Sequence, residues 1–264
     1  MQVELALAAV RRRRTGLIVW ASSIASLVAV VVAFYPSIKG DLSLDESFSK
    51  LPDTVRAFLG SNSIISPVGY LTSRLFGWVL PALFIAFAIG RGTAAIAGEE
   101  EQHTLNIVLS YPVARRSAVL QRLSAMIAEL ALLEATAWVT LVVIAPLSSI
   151  HLSVVNETAA IVHTAMLALT FGVLALAIGA ATGRRSTALG VASGLAVVGY
   201  IIDSLSRVVE ALRPLRPFTV WRWYDGHQPL SDGIDPVGMA VLLALTVIAL
   251  VVGLMLFEQR DVRE

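Results

Sequence analysis

Charged side chains of both signs lie between Gly98 and Arg122, in the stretch that joins two apolar segments. Three consecutive acids, Glu99–Glu101, begin the stretch, and Arg115 and Arg116 follow after an apolar segment. A docking surface for a second protein requires a small apolar patch and charged groups that fix how the partner is aligned. The simpler alternative is that the acids solvate a loop and the arginines only fix membrane topology. The residues alone leave both interpretations open.

Three more ionisable residues, Arg91, Glu129 and Glu134, lie within apolar stretches. A charge at membrane depth costs about 2.5–3.5 kcal/mol on insertion scales, so such groups usually face protein or a cavity. One interpretation is that Glu129 or Glu134 lines a translocation path or pairs with Arg91. The other is that these groups only satisfy helix contacts or reach trapped water.

Several classes of chemistry are excluded by the residues that are missing. The sequence has no cysteine, so disulfides, thiolate catalysis and iron–sulfur clusters are ruled out. Neither Lys39 nor Lys50 follows a glycine, and the chain has no P-loop for ATP. The four histidines have no metal-ligand spacing, and neither zinc-protease nor serine-hydrolase motifs occur. We therefore expect no catalytic residues, no metal and no directly bound cofactor.

The composition indicates a membrane protein. Hydrophobic residues make up 56% of the 264 residues and charged residues only 15%, against about 25% charged in soluble domains. Apolar stretches of about spanning length should be helices, because every backbone amide in lipid needs an internal partner. We predict an all-α integral membrane fold with one transmembrane domain over residues 1–264 and six spans: Gly16–Tyr35, Gly77–Ala97, Val119–Leu147, Thr158–Thr182, Thr187–Ile202 and Val237–Phe257.

Two flanking segments suggest helices that lie at the membrane surface. Val3–Arg14 fits an N-terminal amphipathic interfacial helix, or simply a basic anchor that fixes topology. Leu51–Leu59 fits a short surface helix. The high content of small residues in the spans, as in Gly179-x-x-x-Gly183 and Gly190-x-x-x-Gly194, predicts close helix packing.

The segment before the last span also has helical periodicity. Asp203–Leu212 places apolar residues on one face, and Pro214 and Pro217 should end that helix. The aromatic set Trp221, Trp223 and Tyr224 then favours the membrane interface. A re-entrant hairpin before the sixth span and an ordinary surface hairpin both fit these features.

The distribution of arginines predicts orientation. If six spans alternate, one side of the membrane collects most arginines of the short loops, and by the positive-inside rule that side is the cytoplasm. Both termini are then cytoplasmic, and the arginine-rich, lysine-poor composition suggests a bacterial cytoplasmic membrane. The arginines concerned are Arg11–Arg14, Arg115, Arg116, Arg122, Arg184, Arg185, Arg260 and Arg263.

The order acid–Thr–Leu–x–x–x–Leu–x–x–Pro–Val–x–Arg–Arg resembles the cytoplasmic loop of type-2 ATP-binding-cassette exporter permeases. His103 stands where that family usually has glycine, and Arg122 stands near the place of a frequent lysine. The ending Phe257-Glu-Gln-Arg-Asp261 also resembles the close of the family. The matching loop residues are Glu99, Glu100, Glu101, Thr104, Leu105, Leu109, Pro112, Val113, Arg115 and Arg116.

The resemblance implies a permease subunit whose loop forms the coupling region that docks on a soluble ATPase subunit. ATP and Mg would bind to that partner, and a second permease, identical or related, would complete the translocation path. Membrane lipid surrounds such a protein, and we expect no nucleic-acid partner. The alternatives are an ion-coupled secondary transporter and a non-transporting membrane scaffold; an intramembrane enzyme would need a catalytic cluster at depth that the sequence does not show.

Overall fold

The computed structural model describes residues 2–39, 46, 49–52, 55, 66–101 and 115–260, with side chains described from Arg14 onward. Within these residues six helices are long and apolar enough to cross a membrane, and no strand occurs. The helices described in order are α1 (Gln2–Ile38), α2 (Pro67–Glu101), α3 (Arg115–Leu147), α4 (Val154–Thr182), α5 (Arg185–Ser206), α6 (Val220–Asp225), α7 (Pro229–Asp232) and α8 (Pro236–Gln259).

The predicted all-α, six-span fold is confirmed. Each of the six predicted apolar stretches lies inside one long helix, α1–α5 or α8, and each helix extends beyond the stretch at one or both ends. A helix can continue past the hydrocarbon core into the interface, where water and head groups are present. The extension at the start of α2 is instead largely apolar and packs into the core, with Leu71, Leu75 and Phe76 buried.

The first helix is continuous from the N-terminal segment into the first span. The backbone of Val3–Arg14 is helical, as predicted, and the same helix runs on to Ile38. Alanine, leucine and arginine dominate this segment and are strong helix formers. No break therefore separates the surface segment from the span.

The second span is the least regular of the long helices. α2 contains π-helical turns at Thr72–Phe76 and Ala94–Gly98, and its α-helical geometry is interrupted at Trp78. Pro81 lies in the first turn after this break, where the missing backbone N–H leaves no hydrogen bond unmade. π turns are often found at functional sites and change the direction of a helix locally.

Helix α4 lies at the centre of the bundle and packs on α2, α3, α5 and α8. α2 approaches it closely, because Gly92 and Gly172 face each other with no side chain between the two backbones. Gly179 packs on Ala97 as the small-residue pattern predicted. Gly183 instead ends α4 in the left-handed conformation, with φ of 64°.

The second small-residue pair does not pack within the chain. Nothing lies within 4 Å of a Cβ placed at Gly190 or Gly194, and the neighbouring apolar residues of α5 are exposed. This side of α5 faces lipid or another protein rather than the interior of the bundle.

The helix predicted over Asp203–Leu212 is wrong in its bounds. α5 continues to Ser206, so Asp203 belongs to the end of the fifth span. A 3₁₀ helix then covers Glu210–Phe218 and includes Pro214 and Pro217, the residues expected to end a helix. Proline is tolerated there because its fixed φ suits the turn and short 3₁₀ turns tolerate a missing donor. The predicted helix Leu51–Leu59 lies mostly outside the described residues.

Two of the three aromatic residues predicted at the interface are buried inside the protein. The Trp221 indole donates a hydrogen bond to the Ala196 carbonyl at 2.8 Å, and the Tyr224 hydroxyl donates to the Phe76 carbonyl at 2.7 Å. Burial raises the pKa of Tyr224 above its ordinary value. These bonds hold α6 against α5 and the start of α2, so the segment before the last span folds back on the bundle.

Candidate functional site

The charged residues of the predicted coupling region form a network at one end of the bundle, which we call the Glu99 end. The network consists of the last turn of α2, the first two turns of α3, the start of α5 and the end of α8. Its members among the described residues are Glu99, Glu100, Glu101, Arg115, Arg116, Arg122, Arg185, Glu258 and Arg260.

Each of the three consecutive acids contacts a different helix. Glu99 accepts a hydrogen bond from Arg122 of α3, with Nη2 and Oε2 at 2.8 Å. Glu101 accepts from the backbone N–H of Arg185 at 2.9 Å. The first N–H groups of a helix have no partner within it, so a carboxylate at that position is stabilising. Glu100 forms an ion pair with Arg260, just beyond α8.

The Glu100–Arg260 pair is the most buried of the three contacts. The Glu100 residue is 7% exposed, and the Arg260 side chain is 18% exposed. Gly183, in the turn between α4 and α5, lies directly against this pair, and a methyl group there would overlap both side chains. The absence of a side chain at Gly183 leaves room for the pair, and its positive φ is one that glycine adopts without strain.

The start of α3 holds the end of α8. Arg115 donates to the Arg260 carbonyl at 2.7 Å and to the Phe257 carbonyl at 3.3 Å. These carbonyls belong to the unsatisfied end of a helix, where a cation is favourable. The buried Phe257 ring lies between Arg115 and Arg260, with guanidinium carbons 5.8 and 6.0 Å from its centroid. Arg116 pairs with Glu258 on the surface.

This geometry changes the interpretation of the charged residues. Glu100 and Arg115, two members of the predicted coupling loop, both make contacts within the chain. The remaining predicted loop residues lie outside the described residues: His103, Thr104, Leu105, Leu109, Pro112 and Val113. The described part of the network therefore joins both flanks of the 102–114 segment to other helices, and we call it the anchor of that segment.

Four residues of the network were not predicted as site residues: Arg122, Arg185, Glu258 and Arg260. Phe257, Glu258 and Arg260 come from the end of α8, which is more than a hundred residues from the acids in sequence. The similarity of the Phe257–Asp261 ending to the permease family was the one signal that pointed to them. No local periodicity could have paired Arg260 with Glu100, because the contact depends on which helix ends are neighbours.

A second ion pair lies deeper in the bundle. Arg91 of α2 donates two hydrogen bonds to Glu129 of α3, from Nε and Nη2 to the two carboxylate oxygens. Glu134 is not part of this pair. Its Oε1 atom is buried and has no hydrogen-bond partner among the described residues, and it lines a cavity of about 180 Å³ between α3, α4 and Met239 of α8.

The buried pair should contribute more to stability than a surface pair of the same type. We expect Glu129→Gln to lower the free energy of unfolding by about 1–2 kcal/mol, because Arg91 loses a bidentate carboxylate in a region of low dielectric. The matched control is Glu258→Gln, whose partner Arg116 is 67% exposed; there we expect a much smaller loss, because solvent screens an exposed pair. Unfolding by titration with SDS measures both. Equal losses for the two variants would contradict this expectation.

The buried histidine is satisfied within the fold. His163 Nδ1 donates to the Ala159 carbonyl at 2.8 Å, and Nε2 accepts from the Asp235 backbone N–H at 3.2 Å. Both ring nitrogens are therefore occupied in positioning the start of α8 on α4. Across the part of the chain that the structure describes, no cluster of three acidic or histidine side chains is arranged to hold a metal.

The fold and its charged end define a multi-pass α-helical membrane protein with an ion-paired end. A family model described as ABC-2 family transporter protein matches residues 4–262. The chain therefore belongs to this family and is a membrane component of an ABC transporter. Membrane subunits of this family are generally not ATPases. Comparison with curated proteins returned no match.

Proposed function

We propose that this chain is the permease subunit of an ATP-binding-cassette exporter, forms half of the translocation path and is driven by a separate ATPase subunit. One observation carries the proposal: both ends of the 102–114 segment are tied to other spans. Glu99–Glu101, before the segment, contact α3, α5 and the end of α8. Arg115, after it, contacts the end of α8.

Such anchoring would transmit a displacement of the segment to four spans at once. A partner that pushes on the segment moves the end of α2, and the ion pairs resist separate movement of α3, α5 and α8, because breaking a buried pair is costly. The π turn at Ala94–Gly98 lies immediately before the three acids. It offers a point where the end of α2 can change direction relative to the rest of the helix.

The path itself would form between two permeases, identical or related, because six spans provide only half of it. An apolar cavity of about 400 Å³ lies between α2 and α5, lined by Trp78, Tyr200 and Trp221 among others. Its walls suit an apolar or amphipathic cargo better than a highly charged one. ATP and Mg would bind to the partner ATPase.

We place both termini in the cytoplasm of a bacterial cell. The Glu99 end collects Arg115, Arg116, Arg122, Arg184 and Arg185, in agreement with the positive-inside rule. A cytoplasmic Glu99 end is also the side on which a soluble ATPase has access to the 102–114 segment.

The test is co-purification with a candidate ABC ATPase subunit that is co-expressed with this chain. We expect the wild-type chain to retain the ATPase, and Leu105→Asp to reduce retention by about tenfold or more, since losing an apolar contact at an interface costs upwards of 1 kcal/mol. Ile234→Asp is the matched control, because Ile234 is exposed in the connection at the opposite end. Retention by that variant should equal wild type.

Charge reversals in the anchor are a poor test of docking. Glu100→Arg and Arg115→Glu would break contacts inside the chain before they affected any partner. If no ATPase co-purifies with wild type, or if Leu105→Asp retains it as well as wild type does, the proposed coupling is wrong. The chain should then be tested for ion-coupled transport and for a scaffolding role.

A further inference from the structure

A cavity lined by arginines lies at the end of the bundle opposite the Glu99 end. It has a volume of about 360 Å³ and lies where α5 ends and the 3₁₀ helix begins. A water molecule occupies about 30 Å³ of liquid, so the cavity has room for a polar group several times that size. We call it the arginine cavity; its lining residues are Ser206, Arg207, Arg213, Arg216, Pro217 and Arg222.

Two of its arginines are held in place by buried acids. Arg207 Nη2 donates to Asp203 at 2.8 Å and to Asp225 at 2.5 Å, and Arg216 Nε donates to Asp203 at 3.1 Å. Burial alone would lower the pKa of Arg207, but Asp225 and Asp203 outweigh it and raise the pKa, so this side chain stays charged. Fixed guanidinium groups bind an anion without a further ordering cost.

The cavity has an excess of positive charge. Four guanidinium groups line it, and three of them contact three carboxylates, those of Asp203, Glu210 and Asp225. Arg222 has no acidic partner among the described residues and contacts the Trp223 ring at 6.0 Å. One unit of positive charge therefore remains, which matches the single negative charge of a phosphodiester.

The surface beside the cavity is apolar. The 3₁₀ helix exposes Phe218 and Leu215, with 86% and 46% of their areas accessible. The 3₁₀ helix that carries them begins at Glu210, four residues after α5 ends at Ser206, so we expect them near the level where head groups meet acyl chains. Apolar side chains beside arginines match the two parts of a phospholipid, the acyl chain and the phosphate.

We propose that the arginine cavity binds the phosphate of an anionic phospholipid, with Arg222 supplying the unpaired charge and Phe218 and Leu215 contacting its acyl chain. This site is separate from the coupling region and does not depend on the proposed transport function. Guanidinium–phosphate hydrogen bonds are charge-assisted and often bidentate, which gives them selectivity for phosphate as well as strength.

The test measures the melting temperature of the detergent-purified full chain during titration with short-chain lipids. We expect phosphatidylglycerol to raise the melting temperature, with a half-saturating concentration about tenfold lower than for phosphatidylcholine of equal chain length, because a zwitterionic head group offers no net charge. Inorganic phosphate at the same concentrations should have a smaller effect, because it cannot contact Phe218 and Leu215.

Arg222→Gln should abolish the preference for phosphatidylglycerol while leaving the Asp203–Arg207–Asp225 contacts intact. Arg184→Gln is the matched control, since Arg184 is an exposed arginine at the Glu99 end, and its titration should equal wild type. If Arg222→Gln fails to fold, Arg213→Gln at the rim of the same cavity replaces it, with the same expected loss.

Three outcomes would overturn the proposal. One is equal stabilisation by phosphatidylglycerol and phosphatidylcholine. Another is an unchanged preference in Arg222→Gln or Arg213→Gln. The third is stabilisation by inorganic phosphate that equals the lipid and is unaffected by Phe218→Ser, which would assign the cavity to a free anion.

Discussion

Gly92→Ala is expected to lower the free energy of unfolding by about 3 kcal/mol, the upper part of the range for overpacking. A methyl group at Gly92 would overlap the backbone carbonyl of Gly172 and lie 3.0 Å from the Leu176 nitrogen. Because the opposing atoms are backbone, no side chain can rotate to relieve the overlap. α2 and α4 would have to separate along a packed core.

Gly90→Ala is the matched control for this substitution. Gly90 lies two residues earlier in the same helix, and nothing is within 4 Å of a Cβ placed there. Alanine favours a helix over glycine by up to about 1 kcal/mol, so this variant should be equal to wild type or slightly more stable. SDS titration of the two variants under one set of conditions gives the comparison.

A similar loss in both variants would mean that the close approach of α2 and α4 does not govern stability. The crossing has a functional consequence as well, because α2 carries Glu99–Glu101 at its end. If Gly92→Ala displaces α2, the ion pairs with Arg122 and Arg260 should weaken too. The α2–α4 crossing and the Glu99 end would then be energetically coupled.

The spans could be predicted because their signal is local. About twenty consecutive apolar residues bounded by charges identify a membrane helix whatever it packs against. That is why the predicted stretches such as Thr158–Thr182 lie within the observed helices. The end of the fifth span was predicted too early, at Ile202, because Asp203 was assigned to the start of a separate helix. Its carboxylate is in fact satisfied by Arg207 and Arg216, which allows a charged residue at the end of the helix.

Packing partners could not be predicted from the same local patterns. Gly179 and Gly190 begin identical small-residue motifs, yet Gly179 packs on Ala97 and Gly190 faces open space. The motif shows only that close packing is sterically allowed. Trp221 likewise has the amphipathic character of an interface residue, but its indole finds a carbonyl inside the bundle. Whether such a residue packs inside the chain or lies on its surface depends on the arrangement of helices.

The Glu99 end shows the same difference between local patterns, which can be predicted from the sequence, and packing partners, which cannot. The acids and arginines around the 102–114 segment were identifiable from their order in the sequence. Their partners were not, because Glu100 and Arg260 are 160 residues apart. A sequence that places acids in a loop predicts exposed charge, whereas burial of Glu100 follows from the convergence of four helix ends.

The Glu100–Arg260 pair gives a test of whether these charges act inside the chain. Glu100→Ala should lower the free energy of unfolding by about 3–5 kcal/mol, because it leaves Arg260 buried without its partner. Glu101→Ala is the control, since Glu101 is exposed and loses only one hydrogen bond to a helix N-terminus, worth about 1 kcal/mol. A double-mutant cycle with Arg260→Ala isolates the energy of the pair from other losses.

The exchanged pair, Glu100→Arg with Arg260→Glu, separates an internal role from docking. If the two residues act on each other, the exchange should recover much of the stability lost in Glu100→Arg alone, and ATPase retention should recover with it. If Glu100 instead contacts the ATPase, the exchange leaves an arginine where the partner requires an acid, so retention stays low even when stability returns. Recovery of stability without retention would therefore place Glu100 in the docking surface, and recovery of both would make it part of the anchor.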